Sequence, residues 1–255
     1  MSDVHPAALC GFSEGAGAYA RGRPDYPREL LGWLRDSLRL GPGKTAVDLG
    51  AGTGKFTLLL HESGAQVIAI EPVEAMRAQL SAALPDVQSV TGTAQAIPLP
   101  DGSADAIVCA QSFHWFACPA ALEEIHRVLR PDGSLGLVWN VRDETINWVA
   151  AISKLLAHYE GRVPRFHTGE WRQVFDGRLF TDLIETRFSY RHVGAAQQVI
   201  VDRFLSVSFV AALPDDEKEK IAARLTALMA IHANVKGRDV IEMPYLTRAF
   251  HCFRK

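Results

Sequence analysis

The sequence predicts an α/β fold, a doubly wound and mostly parallel sheet of seven strands with helices on both faces. Three observations carry this. Short apolar segments alternate with helical patterns from about residue 45 to 140. The segments are apolar almost throughout rather than every second residue, as strands covered on both faces are. A glycine-rich turn, "VDLGAGTGKFT" from Val47 to Thr57, joins the first strand to the helix that follows. Right-handed crossovers then wind such a chain into layers.

The elements follow in order. An amphipathic helix is expected from about Arg28 to Leu40, broken by "GPGK". Thr45–Leu49 reads as the first strand and Gly54–Ser63 as its helix. Gln66–Ile70 is a second strand, ended by Glu71-Pro72, and Val73–Ala83 a helix. Val87–Thr91 and Asp105–Ala110 are the third and fourth strands. Pro119–Leu129 is a helix with Pro at its start, where a missing N–H costs little. "RPDG" reads as a turn, and Ser134–Trp139 as the fifth strand. Alternation then slows: a helix over Asn147–Tyr159, the aromatic-rich loop "GRVPRFHTGEWRQVF", and a strand at Leu183–Arg191. Helices near Gln197–Leu205 and Asp215–Ile231 precede a final strand at Tyr245–Phe253. The run "DDEKEK" is read as a solvated helix start.

A chain of 255 residues is long enough for one substantial core, and a single domain over 1–255 is expected. With 27 Lys and Arg against 29 Asp and Glu, the net charge is -2, which gives no bulk attraction to nucleic acid or anionic membrane. Cys10, Cys109, Cys118 and Cys252 form no CxxC pair and no zinc-like cluster, so no metal is expected. Cys118-Pro119 is read as structural. The start "MSDVHPAALCGF" lacks a signal-peptide pattern, and no window approaches the ~20 apolar residues of a membrane span. A cytoplasmic protein is the expectation. No feature fixes an oligomeric state.

The glycine turn constrains its ligand. A P-loop needs G-x-x-x-x-G-K-[ST], but Leu49 stands at the first Gly and Phe56 at the Ser or Thr. A dinucleotide fingerprint needs G-x-G-x-x-G, and Lys55 occupies its third glycine. What remains is D-x-G-x-G-x-G from Asp48 to Gly54, a tight turn suited to a ligand without a pyrophosphate.

That pattern resembles the first motif of the class I S-adenosylmethionine (SAM) dependent methyltransferases, a Rossmann-like family. Glu71, 21 residues after Gly50, matches the family acid that bonds both ribose hydroxyls. An acid there also suits NAD. "TGTAQAIPLPDGSAD" resembles the adenine-contacting segment, with Gln95 where relatives often carry an acid. "RVLRPDGSL" resembles the turn into the fifth strand, with Asp132 replacing a common Gly. The motifs stand in family order over about residues 45–140. The resemblance implies SAM as cofactor, S-adenosylhomocysteine as product, and a SAM-binding core over 41–140. It implies cofactor contacts at Asp48, Gly50, Ala51, Gly52, Thr53, Gly54, Glu71, Pro72, Met76, Ala94, Gln95, Ala110 and Gln111.

Two stretches resemble the trans-aconitate methyltransferase-like branch. "FSEGAGAYARGRPDYP" is similar to an N-terminal lid within 1–40, implying cofactor roles for Tyr19 and Arg23. "AQSFHWF" is similar to that branch's segment after the fourth strand. There His114 is the candidate catalytic residue, able to bond the methionine moiety, orient substrate or take a proton, and Trp115 a substrate-side wall. The chain lacks the [DNS]-P-P-[YFW] motif of amino- and DNA-adenine methyltransferases. The resemblance to this branch implies a small-molecule acceptor, with a carboxylate or hydroxyl oxygen as one candidate for the methylated atom and O, N and C left open, and the substrate side built from 141–255. Arg21, Arg165, His167 and Arg172 are candidates to bind a carboxylate, with the loop Phe166–Trp171 in the pocket. Alternatives are a methyltransferase acting on RNA or protein, a silent SAM-binding protein, and a nicotinamide-dependent dehydrogenase.

Overall fold

A computed structural model describes residues 23–255 apart from 162 and 233. Seven strands form one sheet in the order β3-β2-β1-β4-β5-β7-β6. They are β1 Thr45–Leu49, β2 Gln66–Ile70, β3 Gln88–Val90, β4 Ala104–Ala110, β5 Leu129–Arg142, β6 Ile184–Ala195 and β7 Val240–Phe253. All pairs are parallel except those of β7, which runs antiparallel between β5 and β6. The expected seven-stranded, mostly parallel α/β sheet is present.

The pleat sorts the side chains. Val47 and Leu49 of β1, with Ile107 and Cys109 of β4, join Leu135, Leu137 and Trp139 of β5 in one core. Helix α4, Pro119–Val128, buries Leu122, Ile125 and Val128 there. The alternate residues Ala46, Ala106, Val108 and Val138 face the other core, as a period of two demands. It is covered by α1 Leu30–Asp36, α2 Lys55–Glu62 and α3 Glu74–Ala83. Small residues let α1 come close: a Cβ on Gly136 would lie 2.8 Å from Leu38 Cδ1. A third core unites α5 Asn147–Ala157, α6 Asp215–Ile231, the segment 199–210 and the start of β7. No helix among the described residues is long and apolar enough to cross a membrane.

The first helix is shorter than expected, Leu30–Asp36 rather than Arg28–Leu40; β1 to β4 and α2 to α4 match their expected bounds closely, and four later elements differ. The "RPDG" turn lies inside β5: pairing jumps from Ala104↔Leu129 to Ala106↔Ser134, and the intervening residues form a bulge. Asp132 there has φ 61°, a left-handed conformation that Asp tolerates. β6 runs four residues past its expected end, to Ala195, and β7 starts five residues early, at Val240. Pro244 resembles a breaker, but the last β5–β7 pair is Arg142↔Tyr245, so its missing N–H interrupts no ladder bond to β5. The expected helix near Gln197–Leu205 is a π-helical segment, Gln197–Asp202, continued by one α turn, Arg203–Leu205.

Candidate functional site

The order of strands reverses between β1 and β4, and a crevice opens at their carboxyl ends. The turn after β1 forms its floor. Gly50, Gly52 and Gly54 have φ of 74°, 58° and 86°, a region L side chains rarely adopt. A Cβ on Gly50 would sit 2.7 Å from the Cβ of Ser112. The Ser112 hydroxyl donates to the Leu49 carbonyl at 2.8 Å, tying the end of β4 to the turn. A Cβ on Gly54 would press on Leu80 of α3 at 3.0 Å. Over Gly52 there is open space, and that space is the cleft.

Two carboxylates shape the cleft. Glu71, at the end of β2, accepts the Gly52 N–H at 2.9 Å through Oε2 and the Val73 N–H at 2.9 Å through Oε1. Burial raises its pKa, and the two amides and Arg77 oppose the rise. Its fixed oxygens retain lone pairs for hydroxyl donors. Asp48 is fully buried in β1. Its Oδ2 accepts the Thr57 hydroxyl at 2.6 Å, while Oδ1 has no partner among the described residues. Burial pushes its pKa up to about 7 despite the Thr57 bond, and the nearby charge of Glu71 adds to the rise. A buried acceptor left open beside a cleft is suited to a cationic donor from a ligand.

Beyond β4 the chain makes a strained exit. Gln111 has φ 59°, with its N–H donating to Val138 O at 2.8 Å and its amide to Asn140 O at 3.3 Å. A 3₁₀ turn, Phe113–Trp115, then presents His114. The Trp139 indole N–H, which can only donate, points to His114 Nδ1 at 3.1 Å. Nδ1 is therefore the acceptor, and Nε2 carries the ring proton. Burial pushes the His114 pKa down to about 3, and Arg165, Arg23 and His167 add repulsion. His114 is a neutral N–H donor; of the roles expected for it, taking a proton does not fit this tautomer.

Two cavities meet here. The first is a cleft of about 1170 Å³, open mouth included. Arg23, Asp48, Gly50, Ala51, Gly52, Thr53, Glu71, Pro72, Met76, Ala94, Gln95, Ala110 and Gln111 line it. Gly54 does not; it caps the N-terminus of α2. Tyr19 and Arg21 lie outside the described residues. The second cavity, of about 1480 Å³, is lined by His114 and by residues of α5, the loop at 165–167 and the segment 203–209. Arg23, Gln111, Trp115 and Arg203 line both.

The substrate-side candidates divide. Arg165, Phe166 and His167 line the second cavity. Trp171 is core instead: 2% exposed, with its ring centroid 4.6 Å from that of Trp139. Arg172 lies over the rings of Trp171 and Phe250, at 4.5 and 4.7 Å, outside both cavities. Sequence reasoning missed Tyr26, Ser112, Arg142, Ser153 and Arg203. Only for α5 was a signal present: Ala150, Ser153, Lys154 and Ala157 recur at helical spacing opposite the buried Trp148, Ile152 and Leu156.

Comparison with known proteins bears on this arrangement. Residues 47–137 match the methyltransferase-domain family. An uncharacterised methyltransferase-like protein of Schizosaccharomyces pombe is 37% identical over 240 residues, 94% of this chain and 93% of its own length. Among solved structures, a proposed type II methyltransferase from Anaeromyxobacter dehalogenans superposes with a TM-score of 0.62 at 24% identity, covering 91% of this chain and 96% of that one. A phosphoethanolamine N-methyltransferase of Haemonchus contortus, solved with phosphomonomethylethanolamine and S-adenosylhomocysteine, gives 0.59 at 13% identity, covering 99% and 60%. These two likenesses are of fold.

Proposed function

The chain belongs to the methyltransferase family of these relatives, and from that premise we propose that it moves a methyl group from S-adenosylmethionine to an oxygen of a small-molecule acceptor. One observation carries this reading: a cleft with an open acid-and-glycine floor joins a second, donor-rich cavity at the end of β4. When bound, S-adenosylmethionine supplies an electrophilic methyl and a neutral thioether leaving group.

The residues present fit it. Glu71 would hold the ribose hydroxyls, and its bonds to Gly52 and Val73 keep the carboxylate in place. Asp48 Oδ1, buried and open, would take the methionine ammonium. Gly92, Thr93, Ala94 and Gln95 would line the adenine side. Trp115 and Gln111, which line both cavities, would flank the point of transfer. His114 Nε2–H would donate to the acceptor oxygen and orient its lone pair. Such positioning, with water excluded, is the main catalytic work left to the protein. An acceptor that arrives as an anion needs no base. Tyr19 and the expected lid lie outside the described residues. At the start of the described chain, Asp25 accepts Lys55 Nζ at 2.6 Å and its carbonyl accepts the Asn140 amide at 2.9 Å. Cys109, Cys118 and Cys252 are free thiols, in keeping with a reducing cytoplasm.

Thermal shifts with SAM, S-adenosylhomocysteine, NAD and ATP in parallel test the reading. A ligand at ~100 times its Kd adds ~2.7 kcal/mol, several degrees for a chain of this size. The expected outcome is a rise with the two adenosyl ligands alone, followed by methyl transfer to a member of a small-acid panel. A rise with NAD instead would overturn it.

A further inference from the structure

The second cavity holds more cationic donors than methyl transfer requires. Arg23, Arg142, Lys154, Arg165 and Arg203 line it, against the carboxylates of Glu144 and Glu160. Glu160 is already engaged, 2.9 Å from Arg165 Nε. Arg203 is 7% exposed, and its Nε and Nη1 have no partner among the described residues. Arg165 Nη2 and the hydroxyls of Ser153 and Ser208, which line the same cavity, are buried and unpartnered in the same sense. A buried guanidinium or hydroxyl without an acceptor is costly, and five such donor atoms on one cavity wall point to a ligand with several acceptor oxygens.

The guanidinium groups are also held together. Arg142 and Arg203 flank one ring, 5.6 and 5.5 Å from the Phe204 centroid. Arg165 lies 4.4 Å over the Phe209 ring. Burial lowers the pKa of Arg142 and Arg165, and each is lowered further by repulsion from Arg203. The π-helical segment Gln197–Asp202 buries Val199, Ile200 and Val201 in the third core and delivers Arg203 to the cavity. π-helical insertions of this kind concentrate at functional sites.

We propose that Arg203, Arg165 and Arg142, with the Ser153 and Ser208 hydroxyls, form an anion subsite that holds a second anionic group of the acceptor, besides the oxygen that takes the methyl. The ligand is then a dianion at least, its second group a carboxylate or phosphate oxyanion. This rests on reading the cavity as the acceptor site. It assigns the acceptor's charge and the residues that select it.

Calorimetric titration of the full chain, with S-adenosylhomocysteine present, tests the subsite without turnover. The probes are succinate, glutarate and adipate, the matched monoacids butyrate and hexanoate, and 3-phosphopropionate. At least one dianion should bind about tenfold or more tighter than its monoanion. Arg165→Gln and Arg203→Met should each erode that preference by roughly 10- to 100-fold, the worth of a charge-assisted hydrogen bond. Monoacid binding should change little. A tighter fit of the dicarboxylate or of the phosphocarboxylate supports the subsite and identifies its oxyanion. Equal binding of mono- and dianions, no dianion binding, or a preference that survives both substitutions overturns it. S-adenosylhomocysteine is titrated alone on the same samples. Its failure to bind would sink the methyl-donor reading, a result separate from the anion data.

Discussion

Asp48 sets charge against burial. Its pKa of about 7 lies above the ordinary 3.8, so from about pH 4 to 7 the folded chain keeps a proton that the unfolded chain has lost. Its contribution to stability is full below that window, falls as pH rises through it, and stays low above. Asp48→Asn should therefore raise the melting temperature of the ligand-free protein above pH 7, by the equivalent of roughly 1–3 kcal/mol. The same change should weaken SAM about tenfold or more. Wild-type affinity for SAM should increase with pH through about 7, and the variant should show no such slope; calorimetry across pH reads both. His114 gives the opposite sign. Its folded pKa of about 3 lies below 6.5, so its contribution to stability is present above 6.5 and lost as pH falls below. Turnover should then show no acid limb from His114 near 6.5. His114→Ala should lower turnover about tenfold or more while S-adenosylhomocysteine affinity holds, with His114→Gln, which keeps an N–H, recovering part. An acid limb that disappears with the substitution would restore the proton-taking role. At this scale the floor of the first cleft was legible, because Asp48 to Gly54 and Glu71 are set by local chain geometry. Arg203 and Arg142 were not, because distant segments bring them to one wall.

The elements around the site depend on close approach. Helix α1 reaches β5 only because Gly136 has no side chain; Leu38 and Trp33 would lie 2.8 and 3.1 Å from a Cβ there. Gly136→Val should cost about 1–3 kcal/mol and several degrees of melting temperature. S-adenosylhomocysteine affinity should change little, since Gly136 lines neither cavity. An unchanged melting temperature would mean that α1 can move away without loss. The bounds of β1 and β2 were readable because their residues are mostly apolar and are punctuated by Gly and Pro. β6 was harder: half of it faces solvent and alternates Arg, Glu and His with apolar residues, so its length depends on pairing with β7 along its whole course. The π-helical segment has no sequence signature of its own. Its apolar run, Val199 to Val201, reads as ordinary helix, and only packing within the third core shows the change.

Across the molecule, the two cavities divide between two bodies of structure. The glycine turn, Glu71 and residues 92–95 belong to the parallel part of the sheet, while α5 and 203–209 belong to the third core. Hydrogen exchange should follow that division. S-adenosylhomocysteine should protect 48–54, 71–76 and 92–95, and a dianionic acceptor should add protection at 147–157 and 199–210. Uniform protection by either ligand would mean the two bodies open as one. The parallel half was legible as repeated strand-helix units; the third core, assembled from scattered segments, was not. The place of β7 has a further consequence, for synthesis. Among the described residues β6 pairs with no strand other than β7, and the outer edge of β5 pairs with β7 as well. On the ribosome, a nascent chain that has emerged only through residue 239 carries two long open strand edges, the kind that invite pairing with other chains. A message truncated before codon 240 should yield aggregates rather than a weakly active enzyme, and the sheet closes only after its second-to-last position is filled by β7, which is translated after both of its neighbours.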